Sequence, residues 1–399
     1  MGAAPDVAVI GGGIVGASTA AFLAQAGARV VLYEREGLAA GASGANSGVV
    51  QFPFDQALIP LHESTVDLYR RLSDSDAGFR MAEQPTGLLL VAHREDVVRR
   101  TALSLASSLP QLRPEFLDSA ALRALEPAMA PGVAACRVDI GYPVPPAAST
   151  YAYATLAERS GAILRLGHSA TPVIRSGRAI GCRVDGSLEP AGAIVAAAGP
   201  WTPELIDPSG AWRPIRPLWG VVVETHLETA PHHVMEEAEM DEALGIGDPD
   251  DAMPAGAPRP EFSLVTAAGT SAIGSTFLDD EPDPTSWTVP VLTRAASFVP
   301  MLAAAPIRGV RSCARPLALD GRPLIGAVPG ADGLYVCAGH GPWGISTGPG
   351  SARLIADLIL GRQPAISAAV DVARFGVPTR AGSPAEAIQQ VELPGLEFG

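Results

Sequence analysis

The chain has 399 residues, of which 47% are hydrophobic and 18% charged, and its net charge is −14 at pH 7. This composition is typical of a globular protein, and the 43 glycines and 37 prolines follow no fixed period, which excludes a collagen-like or low-complexity chain. The length exceeds one typical core, so we predict two domains. The acidic surface repels phosphate groups and therefore disfavours nucleic acid as a partner.

The cysteines and the start of the chain bear on location and metal binding. Cys136, Cys182, Cys313 and Cys337 form no C-x-x-C pair, which disfavours a thiolate metal site or a disulfide scaffold. The first residues carry no basic segment or cleavage site, and no apolar run reaches the ~18 residues needed to span a bilayer. We expect a cytoplasmic protein with no metal site, no membrane association and a small-molecule substrate, and a homo-oligomer is left open.

An acidic run begins at Glu236 and Glu237 and continues to Asp251. We interpret it as a solvated loop or helix face and not as a metal or partner site. The preceding pair, His232 and His233, is a poor metal candidate.

In chain order, the hydrophobic pattern predicts short buried strands alternating with helices. The predicted strands cover residues 7–10, 29–33, 87–91, 180–184, 193–198, 220–225, 271–277 and 334–337. The predicted helices cover 17–26, 58–72, a segment from about 150 that leads into 162–164, and 351–360. Residues 7–33 have the size of one βαβ unit.

A glycine-rich sequence separates the first predicted strand from the first helix. Gly11, Gly13 and Gly16 satisfy G-x-G-x-x-G, and Glu34 stands at the end of the next predicted strand. The first glycine permits a tight turn, the second lets the backbone approach a pyrophosphate, and the third lets helix and strand pack closely. The helix N-terminus offers N–H groups to phosphates, and Glu34 can accept hydrogen bonds from ribose hydroxyls. This fingerprint predicts a dinucleotide site without choosing between FAD and NAD.

A second candidate segment, residues 41–50, is small and rich in hydroxyl groups. Its backbone amides and the hydroxyls of Ser43 and Ser47 could contact a cofactor. By itself the segment is equally consistent with a flexible loop.

Together with Ala-Ala-Ala-Gly-Pro-Trp at 196–201 and the blocks 315–326 and 338–348, these motifs resemble the FAD-dependent D-amino acid oxidase superfamily. The glycine oxidase and sarcosine oxidase branch is the most similar, and the motifs extend from residue 7 to 361. The resemblance implies an α/β fold with a Rossmann-like FAD-binding domain interleaved with a second α+β substrate domain built on a mixed sheet. Because flavin motifs at both chain ends must meet at one cofactor, we assign 1–85, 140–210 and 310–375 to the FAD-binding domain. The substrate-binding domain then comprises 86–139 and 211–309, and 376–399 form an irregular tail.

The resemblance also implies how FAD is bound. Residues matching 339–347 wrap the isoalloxazine ring, where the glycines leave room for a flat ring, and the position of Val173 contacts adenine through its backbone. The helix predicted from Ser351 would direct its N-terminus at the ring and stabilise negative charge there. The predicted cofactor-binding residues are Gly11, Gly13, Ile14, Val15, Gly16, Glu34, Arg35, Ala42, Ser43, Asn46, Ser47, Gly48, Val173, Ala198, Gly199, Trp201, Arg315, Gly339, Gly341, Gly344, Ile345, Ser346 and Thr347.

Cys313 raises the question of a covalent flavin. In a gapless match through Asp320, it falls where sarcosine oxidases carry the cysteine that bonds to the flavin. Arg315, two places later, replaces an aromatic residue of that family, and a buried cysteine is an ordinary packing residue. We expect non-covalent FAD.

Three residues are candidates for the substrate side of the site. The arginine matching Arg315 binds the substrate carboxylate in the glycine oxidase branch, which suits the planar fork of a guanidinium; a structural ion pair is the alternative. His340 is either catalytic or a hydrogen-bonded structural histidine. Trp343 would form an apolar wall where glycine oxidases place a second arginine, and residues 49–54 carry no charge. These departures favour a substrate bulkier and less polar than glycine or sarcosine.

The sequence thus predicts an FAD-dependent amino acid or amine oxidase or dehydrogenase. It would take a hydride from the carbon next to nitrogen, and the imine would hydrolyse. Oxygen, giving hydrogen peroxide, or another acceptor would reoxidise the flavin. The alternatives are oxidation of a 2-hydroxy acid, a nicotinamide enzyme, and a non-catalytic flavin-holding subunit of a larger complex.

Overall fold

The structure is a computed structural model that describes residues 5–238 and 259–376. Its strands are β1 (Val7–Ile10), β2 (Val30–Glu34), β3 (Val49–Val50), β4 (Leu88–Ala92), β5 (Glu115–Leu117), β6 (Ala134–Val138), β7 (Tyr142–Pro143), β8 (Ile163–Leu166), β9 (Ala170–Arg175), β10 (Arg178–Val184), β11 (Ser187–Pro190), β12 (Ala193–Ala196), β13 (Ile215–Thr225), β14 (Val234–Glu237), β15 (Ser263–Ala267), β16 (Thr270–Gly274), β17 (Ile307–Ala318), β18 (Leu324–Ala327) and β19 (Leu334–Ala338). Its α-helices are α1 (Ile14–Gln25), α2 (Ala42–Ala45), α3 (Ile59–Asp74), α4 (Glu95–Ser108), α5 (Ser119–Leu125), α6 (Ala148–Arg159), α7 (Thr202–Ile206), α8 (Thr288–Phe298) and α9 (Gly344–Ile359).

Six strands form the first sheet, in the order β18-β19-β12-β1-β2-β8. All neighbours are parallel except β18, which pairs antiparallel with β19 at the edge. The chain proceeds from β1 to β2 on one side, whereas β12 lies on the other side of β1. The order therefore reverses between β1 and β12, and ligands of such sheets bind at the carboxyl ends of the strands beside the reversal.

Apolar side chains cover both faces of this sheet, because every other residue of a strand faces the same side. Val7 and Val9 face a core shared with α1, α3, α6 and α9. Ala8 and Ile10 face the opposite core, which includes residues of the three-stranded sheet β11-β10-β9. The sheet thus lies between a helical layer and a small antiparallel sheet, which explains the continuous apolar run of β1.

Eight strands form the second sheet, in the order β17-β13-β16-β15-β14-β4-β6-β5. Its neighbours are antiparallel except β14 and β4, which pair in parallel. One face packs on α8 through Val291, Ala295 and Phe298. The other face packs on α4, on Val49 near the end of the candidate segment 41–50, and on Phe52 just after it.

The fold class is confirmed: a Rossmann-like parallel sheet combined with a second, mixed sheet. The predicted domain limits stay a prediction, and β17 runs across the last of them at residue 310. In the described ranges, no helix combines the length and apolarity needed to cross a membrane. Most of the acidic run and nearly all of the tail lie outside the described residues.

Candidate active site

The glycine fingerprint and the segment after β12 meet at the reversal of the first sheet. Gly11 has φ +116°, which favours glycine, and a Cβ there would lie 2.3 Å from the carbonyl oxygen of Ala197. At Gly16, a Cβ would lie 1.9 Å from the carbonyl oxygen of Gly11. Both glycines are therefore required by close backbone approaches, as the fingerprint predicts.

Glu34 contacts the fingerprint directly. Its Oε2 accepts a hydrogen bond of 2.6 Å from the backbone N–H of Gly12, and its Oε1 accepts one of 2.8 Å from Glu36. The next residue, Arg35, lies with its guanidinium carbon 4.3 Å from the centre of the Trp201 ring. These contacts join the ends of β2 and β12 around one side of the cavity.

The loop from 41 to 50 is held against α1 and against the second sheet. The hydroxyl of Ser43 accepts a hydrogen bond of 2.9 Å from the N–H of Ile14, the first residue of α1. Arg311 on β17 donates from Nη2 to the Asn46 carbonyl at 2.8 Å, and from Nε to the carbonyl of the preceding residue. The same guanidinium forms an ion pair with Glu224 on β13.

Helix α9 begins at Gly344, so the start predicted at Ser351 is wrong. Pro349 lies inside the helix and has no N–H, which leaves the carbonyl of Ile345 without its usual donor. The hydroxyl of Tyr69 on α3 donates to that carbonyl at 2.8 Å. Two further α3 side chains act in the same turn, because Thr65 accepts from the N–H of Gly350 at 2.9 Å and His62 bonds the Ser346 carbonyl at 3.3 Å.

This earlier start changes the site. The N-terminal turn of α9 lies within the segment 339–347 that the resemblance assigns to the flavin ring, instead of following it. Helix α1 also begins earlier than predicted, at Ile14 instead of Ala17, immediately after the glycines. Both helix N-termini therefore border the candidate site, where their N–H groups can stabilise negative charge.

Arg315 has the arrangement of an anion-binding residue. Its guanidinium lies over Gly220, where a Cβ would be 2.3 Å from both terminal nitrogens. Nη1 donates to the Thr276 carbonyl at 2.9 Å, Nη2 donates to the Ser275 hydroxyl at 2.5 Å, and the Phe277 ring centre is 4.9 Å away. Burial lowers the pKa of Arg315 from its ordinary value, yet a guanidinium stays charged at neutral pH.

One cavity of about 740 Å³ collects most of the predicted site residues. Those in its lining are Gly11, Gly13, Ile14, Val15, Glu34, Arg35, Ala42, Ser43, Asn46, Ser47, Ala198, Gly199, Trp201, Arg315, His340, Gly341, Trp343, Gly344, Ile345 and Ser346.

The other predicted residues are not in this lining: Gly16, Gly48, Val173, Gly339 and Thr347. Val173 pairs with Gly181 in the three-stranded sheet, and the lining includes only the start of its strand, to Thr171. Thr347 donates its hydroxyl to the Trp343 carbonyl at 2.8 Å within α9. Their assignment to the cofactor stays a prediction.

His340 lies at the cavity but directs its ring into the protein. Its Nε2 is 3.0 Å from the hydroxyl of Ser351, which in turn donates to the Thr347 carbonyl at 3.1 Å. The donated hydroxyl proton leaves the Ser351 oxygen as acceptor, so Nε2 carries the imidazole proton. Burial lowers the pKa of His340 to about 4, so the ring is neutral at neutral pH. A direct catalytic role for His340 stays a prediction.

Sequence reasoning missed two polar residues of the cavity, Gln51 and Glu236. The Gln51 side chain is 3% exposed, and its Nε2 donates to Oε2 of Glu236 at 2.7 Å. Glu236 was interpreted as part of a solvated acidic run, but it lies on β14 and lines the cavity. The sequence Val-Met-Glu-Glu at 234–237 does not alternate apolar and polar residues, so no local pattern places either acid on a buried face.

Cys313 also lines the cavity, on β17 opposite Gly220. Burial raises the pKa of its thiol, although the charges of Arg315 and Arg311 act in the opposite direction. The thiolate, which is the reactive form, is therefore disfavoured.

A parallel sheet with a glycine loop at its reversal, and a cavity that continues to a second mixed sheet, define a dinucleotide-dependent two-sheet enzyme fold. The chain matches the DAO family, described as FAD dependent oxidoreductase, over residues 6–358. The protein therefore belongs to the DAO family of FAD-dependent oxidoreductases, and FAD is its cofactor.

Known proteins agree with this assignment. A glycine oxidase from Pseudomonas aeruginosa is 28% identical over 384 residues, covering 91% of this chain and 97% of that protein. A D-amino acid dehydrogenase from Cereibacter sphaeroides is 30% identical over 258 residues, covering 62% of this chain and 53% of that protein. The crystal structure of glycine oxidase from Geobacillus kaustophilus has a TM-score of 0.76 and 25% identity, covering 95% of this chain and 99% of that one.

Proposed function

We propose that this protein oxidises a small amino acid at the carbon next to nitrogen. The single observation that carries the proposal is Arg315, a half-buried guanidinium at the same cavity as the glycine fingerprint. The names of the relatives, an oxidase and a dehydrogenase of amino acids, support the same substrate class.

The backbone of the glycine loop and of the two helix N-termini suits the binding of FAD. The fingerprint loop has no side chain at Gly13, and the Ser43 hydroxyl beside it accepts from the first N–H of α1. We infer that the pyrophosphate binds beside this turn, where backbone N–H groups and a hydroxyl lie together. We infer that Glu34 and Arg35 bind the ribose side and that the first turn of α9 faces the ring. Bound FAD supplies the acceptor for the hydride that leaves the substrate.

Arg315 suits a substrate carboxylate because some of its N–H donors are not used by the protein. A guanidinium has five N–H donors, and two of them are used by Thr276 and Ser275. Within the described ranges, no carboxylate of the protein lies within ion-pair distance of it. A substrate carboxylate would therefore supply the missing negative charge and hold the reacting carbon in a fixed orientation.

The amine would react in its neutral form, because its lone pair must become the new C=N bond. No protein base at the amine is then required, and the imine would hydrolyse in water. Trp343 and Phe277 line the same cavity and would exclude water around the reacting carbon.

We further propose that the flavin is not bonded to Cys313, since burial disfavours its thiolate. Acid precipitation tests this: FAD should remain in the supernatant above a colourless pellet. A yellow pellet that becomes colourless in Cys313→Ser would contradict non-covalent attachment.

Anaerobic reduction of the flavin, followed as loss of its visible absorbance, tests the proposed function. A panel of D- and L-amino acids, simple amines and 2-hydroxy acids should include at least one amino acid that bleaches the purified protein. Arg315→Leu should keep its FAD but lose on the order of 10² to 10³ in kcat/KM, because one charge-assisted fork is removed.

Arg308→Leu is the matched control, since Arg308 is an exposed arginine on the same strand. Its kinetics should equal those of the wild type. Bleaching by 2-hydroxy acids alone, or by nothing in the panel, would overturn the proposed amino acid oxidation.

A further inference from the structure

Ser275 lies beside the guanidinium of Arg315 in the cavity. Nη2 of Arg315 donates to the hydroxyl oxygen of Ser275 at 2.5 Å, and both residues line the cavity. A guanidinium has N–H donors and no acceptor, so the serine oxygen is the acceptor in this bond. The hydroxyl proton of Ser275 is therefore left for another acceptor.

Nothing in the part of the chain that the structure describes accepts this proton. The hydrogen bonds of Ser275 are the one from Arg315 and two backbone bonds with Glu261. Ser275 is 7% exposed, so bulk water has little access to it. A hydroxyl that is buried without an acceptor costs free energy. The acceptor is therefore a group that binds in the cavity.

The backbone around Ser275 is fixed on both sides. Its N–H donates to the carbonyl of Glu261, and its carbonyl accepts from the N–H of Glu261 at 2.9 Å. The hydroxyl of the next residue, Thr276, accepts from the N–H of Val221 at 2.9 Å, and the Thr276 carbonyl accepts from Nη1 of Arg315. One short segment thus orients both the guanidinium and the serine hydroxyl before a substrate binds.

The neighbouring guanidinium indicates what the acceptor is. If Arg315 binds the substrate carboxylate, which rests on the proposed function, a carboxylate oxygen that accepts from Nη2 would lie within reach of a hydroxyl only 2.5 Å from the same nitrogen. A carboxylate has two oxygens and can accept several hydrogen bonds, so it can accept from both residues at once. A hydrogen bond from a hydroxyl to a charged carboxylate is also stronger than one between neutral groups.

We propose that Ser275 is a second binding residue for the substrate carboxylate, to which it donates its hydroxyl proton while it accepts from Arg315. The two residues together select amino acids with a free carboxylate. An amine without a carboxylate would leave both the guanidinium charge and the serine hydroxyl without a partner, which a binding site penalises strongly.

Ser275→Ala tests the proposal on the FAD-bound protein. The measurement is the second-order rate constant of anaerobic flavin reduction by the amino acid that bleaches the wild type fastest. It should fall about 10- to 100-fold, because one hydrogen bond to a charged group is lost. Ser271→Ala is the matched control and should retain the wild-type rate constant. Ser271 is a buried serine on β16, the strand that leads to Ser275, and its hydroxyl bonds Thr266 outside the cavity lining.

A double variant separates direct binding from an effect through Arg315. If the serine hydroxyl binds the carboxylate itself, adding Ser275→Ala to Arg315→Leu should slow flavin reduction by at least about a further threefold. Equal rate constants of the single Arg315→Leu and the double variant would show that Ser275 only orients Arg315, and would overturn the proposal. Ser275→Cys keeps the shape of the side chain but has only a weak donor, so it should lose nearly as much as Ser275→Ala.

The outcomes separate this proposal from the proposed function. A wild-type rate constant in Ser275→Ala would overturn the role of Ser275 and leave amino acid oxidation intact. If the flavin spectrum of that variant also changed without any ligand, the hydroxyl would belong to the flavin instead of the substrate. Failure of every amino acid to bleach the flavin of the wild type would overturn both proposals.

Discussion

Arg315 depends on a glycine of the neighbouring strand. The guanidinium occupies the space above Gly220 that a side chain would fill, and nothing about Gly220 in the sequence indicates this role. The absence of a Cβ is thus part of the proposed anion site.

We expect Gly220→Ala to reproduce much of the loss caused by Arg315→Leu. Its Cβ would lie 2.3 Å from the Arg315 terminal nitrogens, so the guanidinium must move. Since a small displacement from the reactive geometry can cost on the order of 10²-fold, kcat/KM should fall by about 10 to 10² with FAD still bound. Gly37→Ala, where a Cβ meets open space, should have no such effect. Wild-type kinetics in Gly220→Ala would show that the placement of Arg315 is not critical.

Helix α9 is a proline-containing helix completed by its neighbour α3. Three α3 side chains, Tyr69, Thr65 and His62, bond backbone groups around Pro349, among them the Ile345 carbonyl that has lost its usual donor. This support allows the helix to start at Gly344, beside the cavity.

Tyr69→Phe should destabilise the protein by about 1 to 3 kcal/mol, because the buried Ile345 carbonyl would lose its hydrogen bond. The free energy of unfolding in urea measures this. Tyr151→Phe is the control, since Tyr151 is 52% exposed and its hydroxyl is accessible to water. Equal stabilities of the two variants would contradict the role of Tyr69 in α9.

The loop that contains α2 is held in place by hydrogen bonds from β17, as α9 is by hydrogen bonds from α3. Arg311 donates to two carbonyls of this loop and is ion-paired with Glu224, so it links the second sheet to the cofactor side of the cavity. Arg311→Met removes both links and leaves Glu224 partly buried without its partner.

Apoprotein of Arg311→Met should bind FAD about tenfold more weakly, as measured by titration with FAD and quenching of its fluorescence. Arg308→Met, an exposed change on the same strand, serves as reference. An unchanged dissociation constant for FAD would mean that the loop holds its shape without Arg311.

At the scale of the whole molecule, two buried histidines make stability depend on pH. Burial lowers the pKa of His62 and of His340 to about 4, from 6.5. As pH falls below 6.5, the histidines of the unfolded chain bind protons that those of the folded protein do not. The contribution of the two neutral histidines to the free energy of unfolding therefore declines until pH reaches about 4.

We expect each histidine to contribute up to about 1.4 kcal/mol per pH unit to this acid destabilisation. His62→Gln should reduce the slope of unfolding free energy against pH between 6.5 and 4.5 by about that amount. His226→Gln, a change at an exposed histidine, is the control and should leave the slope at its wild-type value. A slope identical to wild type in His62→Gln would show that His62 is protonated in the folded protein.

The sequence by itself determined the features that depend on neighbouring residues. The βαβ unit, the glycine fingerprint and the acid at Glu34 lie within about thirty residues, and the structure has them in the predicted order. Apolar runs and glycine positions express local backbone requirements, so they can be interpreted without knowing the fold.

Only the tertiary structure decided the features that depend on distant partners. Gln51 and Glu236 are 185 positions apart, and Tyr69 and Ile345 are 276 apart. The sequence predicts that the last helix starts at Ser351, but with hydrogen bonds from α3 it starts at Gly344 and continues through Pro349. Glu236 reaches the cavity because strand pairing fixes which face of β14 it occupies. Such contacts arise from sheet register and packing, which no local pattern of residues specifies.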